Sequence, residues 1–309
     1  MQIQMKKGCE QVKLFTYADE GQQRLGLHTA KGGIAVAKAC EVYGITPVWQ
    51  SVHDVIEGGD AAIRQLNELA DQVLADERQD LLLDEATLAW EPCVTRPQKI
   101  ICVGLNYRKH AEETGAAVPE YPILFNKFAN ALTGHEQEVT LPRVTSRVDY
   151  EVELTIVIGK PASDVPQEQA LDYVFGYCTG NDLSARDLQK RTAQWMLGKT
   201  CDGFAPIGPY VVTADEVGNP NNLTLQTTVN GERRQHSNTS DMIFHCDEIV
   251  SYISKHMTLQ PGDIIMTGTP EGVIVGMPKE QRVYLQPGDV VTVEVEKLGS
   301  LTTRFTADV

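Results

Sequence analysis

The run Asp149-Tyr150-Glu151-Val152-Glu153-Leu154 leads straight into the apolar stretch Leu154 to Ile158, so acidic side chains occupy every second position at the entry to a strand. Residues two apart on a strand share a face, and this spacing aims Glu151 and Glu153 at one point. Asp149 has the same parity, so spacing alone leaves open which two of the three converge. Taken by itself, such a row is most often a solvated face. Asp182 shifts the balance: it follows the next apolar run, Tyr173 to Cys178, and would reach the same point from a neighbouring strand end. Carboxylate oxygens without cysteine or clustered histidine suit Mg²⁺, Mn²⁺ or Ca²⁺ better than zinc.

The 309 residues, 42% hydrophobic and 22% charged, suffice for one large globular domain or two. A formal net charge of −15, with no Lys/Arg stripe to neutralise phosphates, argues against a nucleic-acid partner. The seven cysteines stand singly and form no Cys-x-x-Cys, which signals neither a disulfide framework nor a zinc ribbon. Met1 to Gly8 lack a secretory apolar region, and no apolar run approaches the ~20 residues that span a bilayer. The expectation is a cytoplasmic protein with no membrane partner and with reduced, mostly buried thiols.

Short strands are expected through residues 11–40, followed by an amphipathic helix over about 60–78, where Ile63, Leu66, Ala70, Val73 and Leu74 recur at helical spacing. The segment Trp90 to Pro97 holds two prolines and precedes the apolar strand Lys99 to Gly104, which places a domain boundary between residues 1–97 and 98–309. Beyond it strands dominate: Leu154 to Ile158, Tyr173 to Cys178, Leu223 to Val229 before an Asn230-Gly231 hairpin turn, and Val290 to Val295. A helix is expected from Ser184 to about Met196, with Asp187 completing a capping box, and another near Asp247 to His256. Leu-Gln-Pro-Gly-Asp occurs at 259–263 and 285–289, which is repeated turn chemistry.

Arg186 and Gln189, three apart on the expected helix, place a cation and an amide where an anionic ligand beside the acids would lie. Lys199, in Leu197-Gly198-Lys199-Thr200, carries no signal alone. His110 and Glu113 are also three apart, close enough for the carboxylate to orient the imidazole as a general base. The small, turn-rich stretch Thr114 to Glu120 makes residues 107–120 a candidate lid. Thr267 to Gly272 reads as a loop whose backbone and hydroxyls could touch an anion. The other histidines show no metal-ligand spacing.

In order along the chain stand Gly104-Leu105-Asn106-Tyr107-x-x-His110, Asp149-Tyr150-Glu151-x-Glu153-Leu154, Asn181-Asp182-x-x-Ala185-Arg186-Asp187-x-Gln189, Gly198-Lys199 and Thr267-Gly268-Thr269-Pro270-x-Gly272-Val273. That order strongly resembles the fumarylacetoacetate hydrolase family over residues 98–309; the first ~95 residues resemble the family's smaller N-terminal α+β domain only loosely. The resemblance implies a strand-rich α+β fold, a mixed β-sandwich roll, commonly as a homodimer. It implies Mg²⁺ or Mn²⁺ held by Glu151, Glu153 and Asp182, with Asp149 outside the ligand set. It further implies that Arg186, Gln189, Lys199 and Thr269 contact a small 2-oxo acid, and that His110 and Glu113 form a catalytic dyad on the lid with Lys199 alongside. The continuation Gly272-Val273-Ile274-Val275-Gly276 departs from the family's frequent Gly-Val-Gly.

The expected reaction is hydrolytic C–C cleavage of acylpyruvates or related β-diketo acids, the dyad activating water and a metal ion stabilising the pyruvate enolate that leaves. The same enolate chemistry serves an oxaloacetate-type decarboxylase and a 2-hydroxyhepta-2,4-diene-1,7-dioate or hydroxymuconate isomerase. A non-catalytic metabolite-binding protein is the remaining alternative, and the filled metal and dyad positions argue against it.

Overall fold

β-Branched runs bounded by turn residues become strands throughout the computed structural model, which describes residues 12–307. The readings of Met1 to Gly8 and of Cys9 lie outside the described residues. The chain begins with β1 (Lys13–Asp19), β2 (Gln22–Thr29), β3 (Gly32–Ala35), α1 (Val36–Tyr43), α2 (Val52–Ala75), β4 (Leu82–Leu83) and β5 (Ala89–Trp90). It continues through β6 (Ile100–Gly104), α3 (Arg108–Thr114), β7 (Ile123–Lys127), β8 (Leu132–Thr133), β9 (Glu138–Leu141), β10 (Val148–Asp149), β11 (Val152–Ile158), β12 (Val174–Asn181) and β13 (Ser184–Ala185). Two single-turn helices follow, α4 (Arg186–Gln189) and α5 (Met196–Lys199), and then β14 (Ala205–Thr213) and α6 (Ala214–Val217). The last elements are β15 (Thr224–Val229), β16 (Glu232–Asn238), α7 (Cys246–Ser254), β17 (Ile264–Met266), β18 (Val290–Val295) and β19 (Gly299–Ala307).

A twelve-stranded sheet runs β4-β3-β2-β1-β14-β12-β11-β17-β6-β7, with β5 on β1 and β8 on β14. A five-stranded sheet, β16-β15-β18-β19-β9, packs against it. Most pairs are antiparallel, but β17/β6, β14/β8 and β19/β9 are parallel, so the fold is strand-rich α+β with mixed sheets. Between the sheets Val152, Leu154 and Ile156 meet Leu225, Val291, Val293 and Val295. On the other face Val157, Cys178 and Ile264 join Leu14, Leu66 and Leu69 in a second core. β11 is therefore buried on both faces, which is why it reads as a continuous apolar run. The large sheet continues across the Trp90 to Pro97 segment, β1 pairing with β14 at Leu14↔Val211.

Several local readings change. Residues 36–43 form α1 where strands were expected. The helix expected over 60–78 spans Val52–Ala75, because Ser51 and Asp54 close a capping box upstream and Gly59, at φ 55°, kinks it. The helix expected from Ser184 to Met196 is instead β13 followed by two separate turns. Ser184 pairs with Asp149 in the short sheet, and its hydroxyl donates to the Asp182 carbonyl at 2.9 Å rather than capping a helix. The turn readings hold: Asn230 and Gly231 take φ 51° and 81°, as a tight hairpin requires. In both Leu-Gln-Pro-Gly-Asp turns the aspartate accepts the glutamine N–H three residues back at 2.7 Å.

Candidate metal centre

Glu151 sits just before β11, Glu153 within it, and Asp182 just past the end of its partner β12. The two strand ends are stitched by Asp182 N–H to the Glu151 carbonyl and by Glu151 N–H to the Asn181 side-chain oxygen, each at 2.9 Å. These bonds bring Asp182 level with the glutamates. One oxygen from each carboxylate lies within 4.8 Å of the others, and Glu151, Glu153 and Asp182 are only 5%, 2% and 0% exposed. The surface-row reading of Glu151 and Glu153 is thereby excluded.

Three cations approach the cluster, two of them from α4 and α5 and the third, Lys127, from β7. Lys199, at the end of α5, donates to Glu151 Oε2 and Asp182 Oδ2 at 2.7 Å each. Arg186 on α4 places Nη2 2.7 Å from Glu151 Oε1, and its Nη1 donates to Gln189 Oε1 at 3.0 Å. Burial alone would raise the Glu151 pKa, yet Arg186, Lys199 and His110 together hold it below the usual carboxylate range. Glu153 is opposite: burial, then Asp182 and Glu151, push its pKa well up, and its Oε2 accepts the Gly268 N–H at 2.8 Å. With Asp149, which shares Arg186, four buried acids thus face three buried cations, Arg186, Lys199 and Lys127, and one negative charge is left over. A proton on Glu153 relieves it; so would a hard divalent cation, whose preferred donors are oxygens of this kind. The donor set fits such an ion.

His110 lies on α3, its Nδ1 2.9 Å from Glu113 Oε1. A carboxylate only accepts, so Nδ1 is the donor and, in the neutral ring, Nε2 is the acceptor. Glu113 is anchored in turn by the Gly272 N–H, at 3.1 Å to one oxygen and 3.2 Å to the other. His110, Glu151, Glu153, Asp182, Arg186, Gln189, Lys199 and Thr269 all line one cavity of about 230 Å³, while Glu113 stands behind the imidazole. Thr114 and Ala116, from the expected lid, also line it. Thr269 Oγ1 accepts from Gln235 Nε2 at 3.0 Å.

Lys127 and Gln235 escaped sequence reasoning as parts of the site, and Asp149, which spacing left open as a ligand, has a supporting place there. Asp149, 0% exposed, receives Arg186 Nε at 2.8 Å and the Ile274 and Val275 N–H groups at 2.9 and 3.0 Å. Its parity with Glu151 was the only local signal. Buried Lys127 on β7 donates to the carbonyls of Leu183, Lys199 and Phe204. With all three hydrogens so engaged, its 2.6 Å approach to Asp182 Oδ1 is electrostatic, and that oxygen has no hydrogen-bond donor. Gln235 joins the smaller sheet to the site, accepting Val152 N–H at 3.1 Å while donating to Thr269.

Residues 99–306 match the family model described as fumarylacetoacetate (FAA) hydrolase C-terminal. The chain is 36% identical over 291 residues, 93% of its own length and 88% of the relative's, to a Xenopus laevis protein named oxaloacetate tautomerase fahd2, mitochondrial. The fumarylacetoacetate hydrolase of Exiguobacterium antarcticum superposes with a TM-score of 0.78 at 32% identity, over 96% of this chain and all of that one (100%). The fumarylpyruvate hydrolase of Pseudomonas aeruginosa, solved with Mn²⁺ and pyruvate, gives 0.63 at 36% identity over 69% and 91%. With its family match spanning most of the chain and its fold shared with these enzymes, the protein belongs to the fumarylacetoacetate hydrolase family.

Proposed function

We propose that this enzyme cleaves the C–C bond of acylpyruvates and related β-diketo acids by hydrolysis, with a divalent cation, Mg²⁺ or Mn²⁺, held by Glu151, Glu153 and Asp182; Ca²⁺ suits the same oxygens. The observation that carries the reading is the His110–Glu113 pair facing the cavity of the three carboxylates. When bound, the cation would supply Lewis-acid stabilisation of negative charge developing on the 2-oxo group. Arg186, Gln189 and Lys199 would fix the substrate carboxylate, removing orientational entropy before reaction. Thr269 would bound it from the opposite side. His110 Nε2 would take a proton from the attacking water, with Glu113 holding the ring in the competent tautomer. Val103, Leu105 and Phe125 line the cavity with apolar surface and limit competing water.

A second reading, keto–enol tautomerisation of oxaloacetate, is favoured by the name of the Xenopus laevis relative, which covers nearly the whole chain. There His110 would move a proton to or from carbon, without water. The proposal includes a homodimer and a cytoplasmic location. No helix among the described residues is long and apolar enough to cross a membrane. The deciding assay offers acetylpyruvate, fumarylpyruvate, oxaloacetate and a hydroxymuconate-type dienol with each metal, before and after chelation. Hydrolysis of the first two, lost on chelation and in Glu151→Ala or Asp182→Ala, is expected. Full activity of both variants after chelation would sink the metal-dependent reading, and turnover of oxaloacetate alone would move the assignment to the tautomerase.

A further inference from the structure

Charge in the cavity is divided between floor and mouth. On the floor, Arg186 and Lys199 are paired with Glu151 and Asp182. The lining also includes Val103, Leu105, Phe125, Trp195 and Val275, and exposed Lys190 stands among them. Trp195 is fixed edge-on to Phe125, the ring centres 5.4 Å apart. Gly104 leaves the room it needs, since a Cβ there would come 2.4 Å from the indole. Of the three lining cations Arg186, Lys190 and Lys199, Lys190 alone has no carboxylate partner among the described residues.

Lys190 directly follows α4, its backbone N–H on the Arg186 carbonyl at 3.2 Å, so the outer cation is carried by the same turn as the inner clamp. Its side chain is exposed at the mouth, and no ion pair or hydrogen bond from its ammonium occurs among the described residues. Burial of part of the chain and the positive charges of Arg186 and Arg282 press its pKa down. Asp149 pulls the other way but is already engaged by Arg186. In a chain of net charge −15 this is a local reversal of sign, and an anionic group on the ligand would relieve it.

We propose that Lys190 is a specificity-determining residue that receives a second, distal carboxylate, so that the site prefers 2-oxo diacids to 2-oxo monoacids. The inference rests on the reading of the floor as a 2-oxo acid site. It is tested by binding rather than turnover: Mn²⁺-loaded protein is titrated calorimetrically with pyruvate and with 2-oxoglutarate. For one solvent-screened charge pair, wild type should favour the diacid by roughly fivefold. Lys190→Met should bring the two affinities near parity, Lys190→Glu should reverse the order, and Lys190→Arg should keep the preference. Retention of the wild-type ratio by both Lys190→Met and Lys190→Glu overturns the assignment. Failure of wild type to bind either acid removes the 2-oxo acid reading and the diacid preference together, whereas equal binding of both removes only the preference.

Discussion

Replacing Asp149 by asparagine separates a metal ligand from a support. Each carboxylate oxygen serves two donors: Oδ1 takes Tyr150 N–H and Ile274 N–H at 2.9 Å, and Oδ2 takes Arg186 Nε at 2.8 Å and Val275 N–H at 3.0 Å. Asparagine has nearly the same shape, but whichever way it turns, its NH₂ confronts two donors and accepts from neither. At roughly 1–3 kcal/mol per buried donor left unmet, the variant should lose about 2–6 kcal/mol. At about 2 °C per kcal/mol, appropriate to a long chain, the thermal midpoint should fall by about 4–12 °C. Arg186 Nε keeps at most a neutral acceptor in place of a carboxylate, so KM for the 2-oxo acid should rise by roughly tenfold, the worth of one weakened charge-assisted contact. Metal affinity should change far less, because Glu151, Glu153 and Asp182 are untouched. Calorimetry, steady-state kinetics and a metal titration on one preparation read all three quantities. A midpoint within about 2 °C of wild type with unaltered KM would refute the reasoning, since two buried donors cannot lose their acceptor without cost.

The dyad admits a paired test. His110→Ala should abolish hydrolysis while metal binding survives, and Gly276→Ala should reduce kcat by roughly tenfold or more with little loss of stability, because a Cβ at 276 would fall 2.4 Å from the Glu113 carboxyl carbon and push that flexible group off the imidazole. Wild-type kcat in both variants would remove the pair from the mechanism. Acid sensitivity has a separate origin in His53 and His135, whose pKa values are lowered from 6.5, mainly by burial. The unfolded chain then binds protons more readily than the folded one, so the folded state keeps full stability above pH 6.5 and loses it as pH falls through that value towards the depressed folded pKa. His53→Gln should flatten the dependence of unfolding free energy on pH between about 8 and 5, and an unchanged slope would exclude His53 as a source.

The parts of the site legible in the sequence are those whose signal is local. Glu151 and Glu153 show their strand parity, and His110 and Glu113 their helical spacing. The parts that were not legible depend on partners distant along the chain. Lys127 meets the Leu183 carbonyl 56 residues away, and nothing in Phe125-Asn126-Lys127 distinguishes a buried ammonium from a surface one. Ser184 carries a capping-box pattern, yet the pairing of β10 with β13 outweighs it, because tertiary strand pairing overrides a local propensity of this size. The unfamiliar loop Gly272 to Gly276 is the most instructive case. Its contribution is made by backbone N–H groups, which no side-chain motif reports: Gly272 binds Glu113, while Ile274 and Val275 bind Asp149, which binds Arg186. The proposed water-activating dyad and the proposed anion clamp therefore hang on one five-residue loop. A ligand that orders Arg186 should, through this loop, also steady Glu113, and a substitution that shifts the loop should disturb proton transfer and substrate binding together.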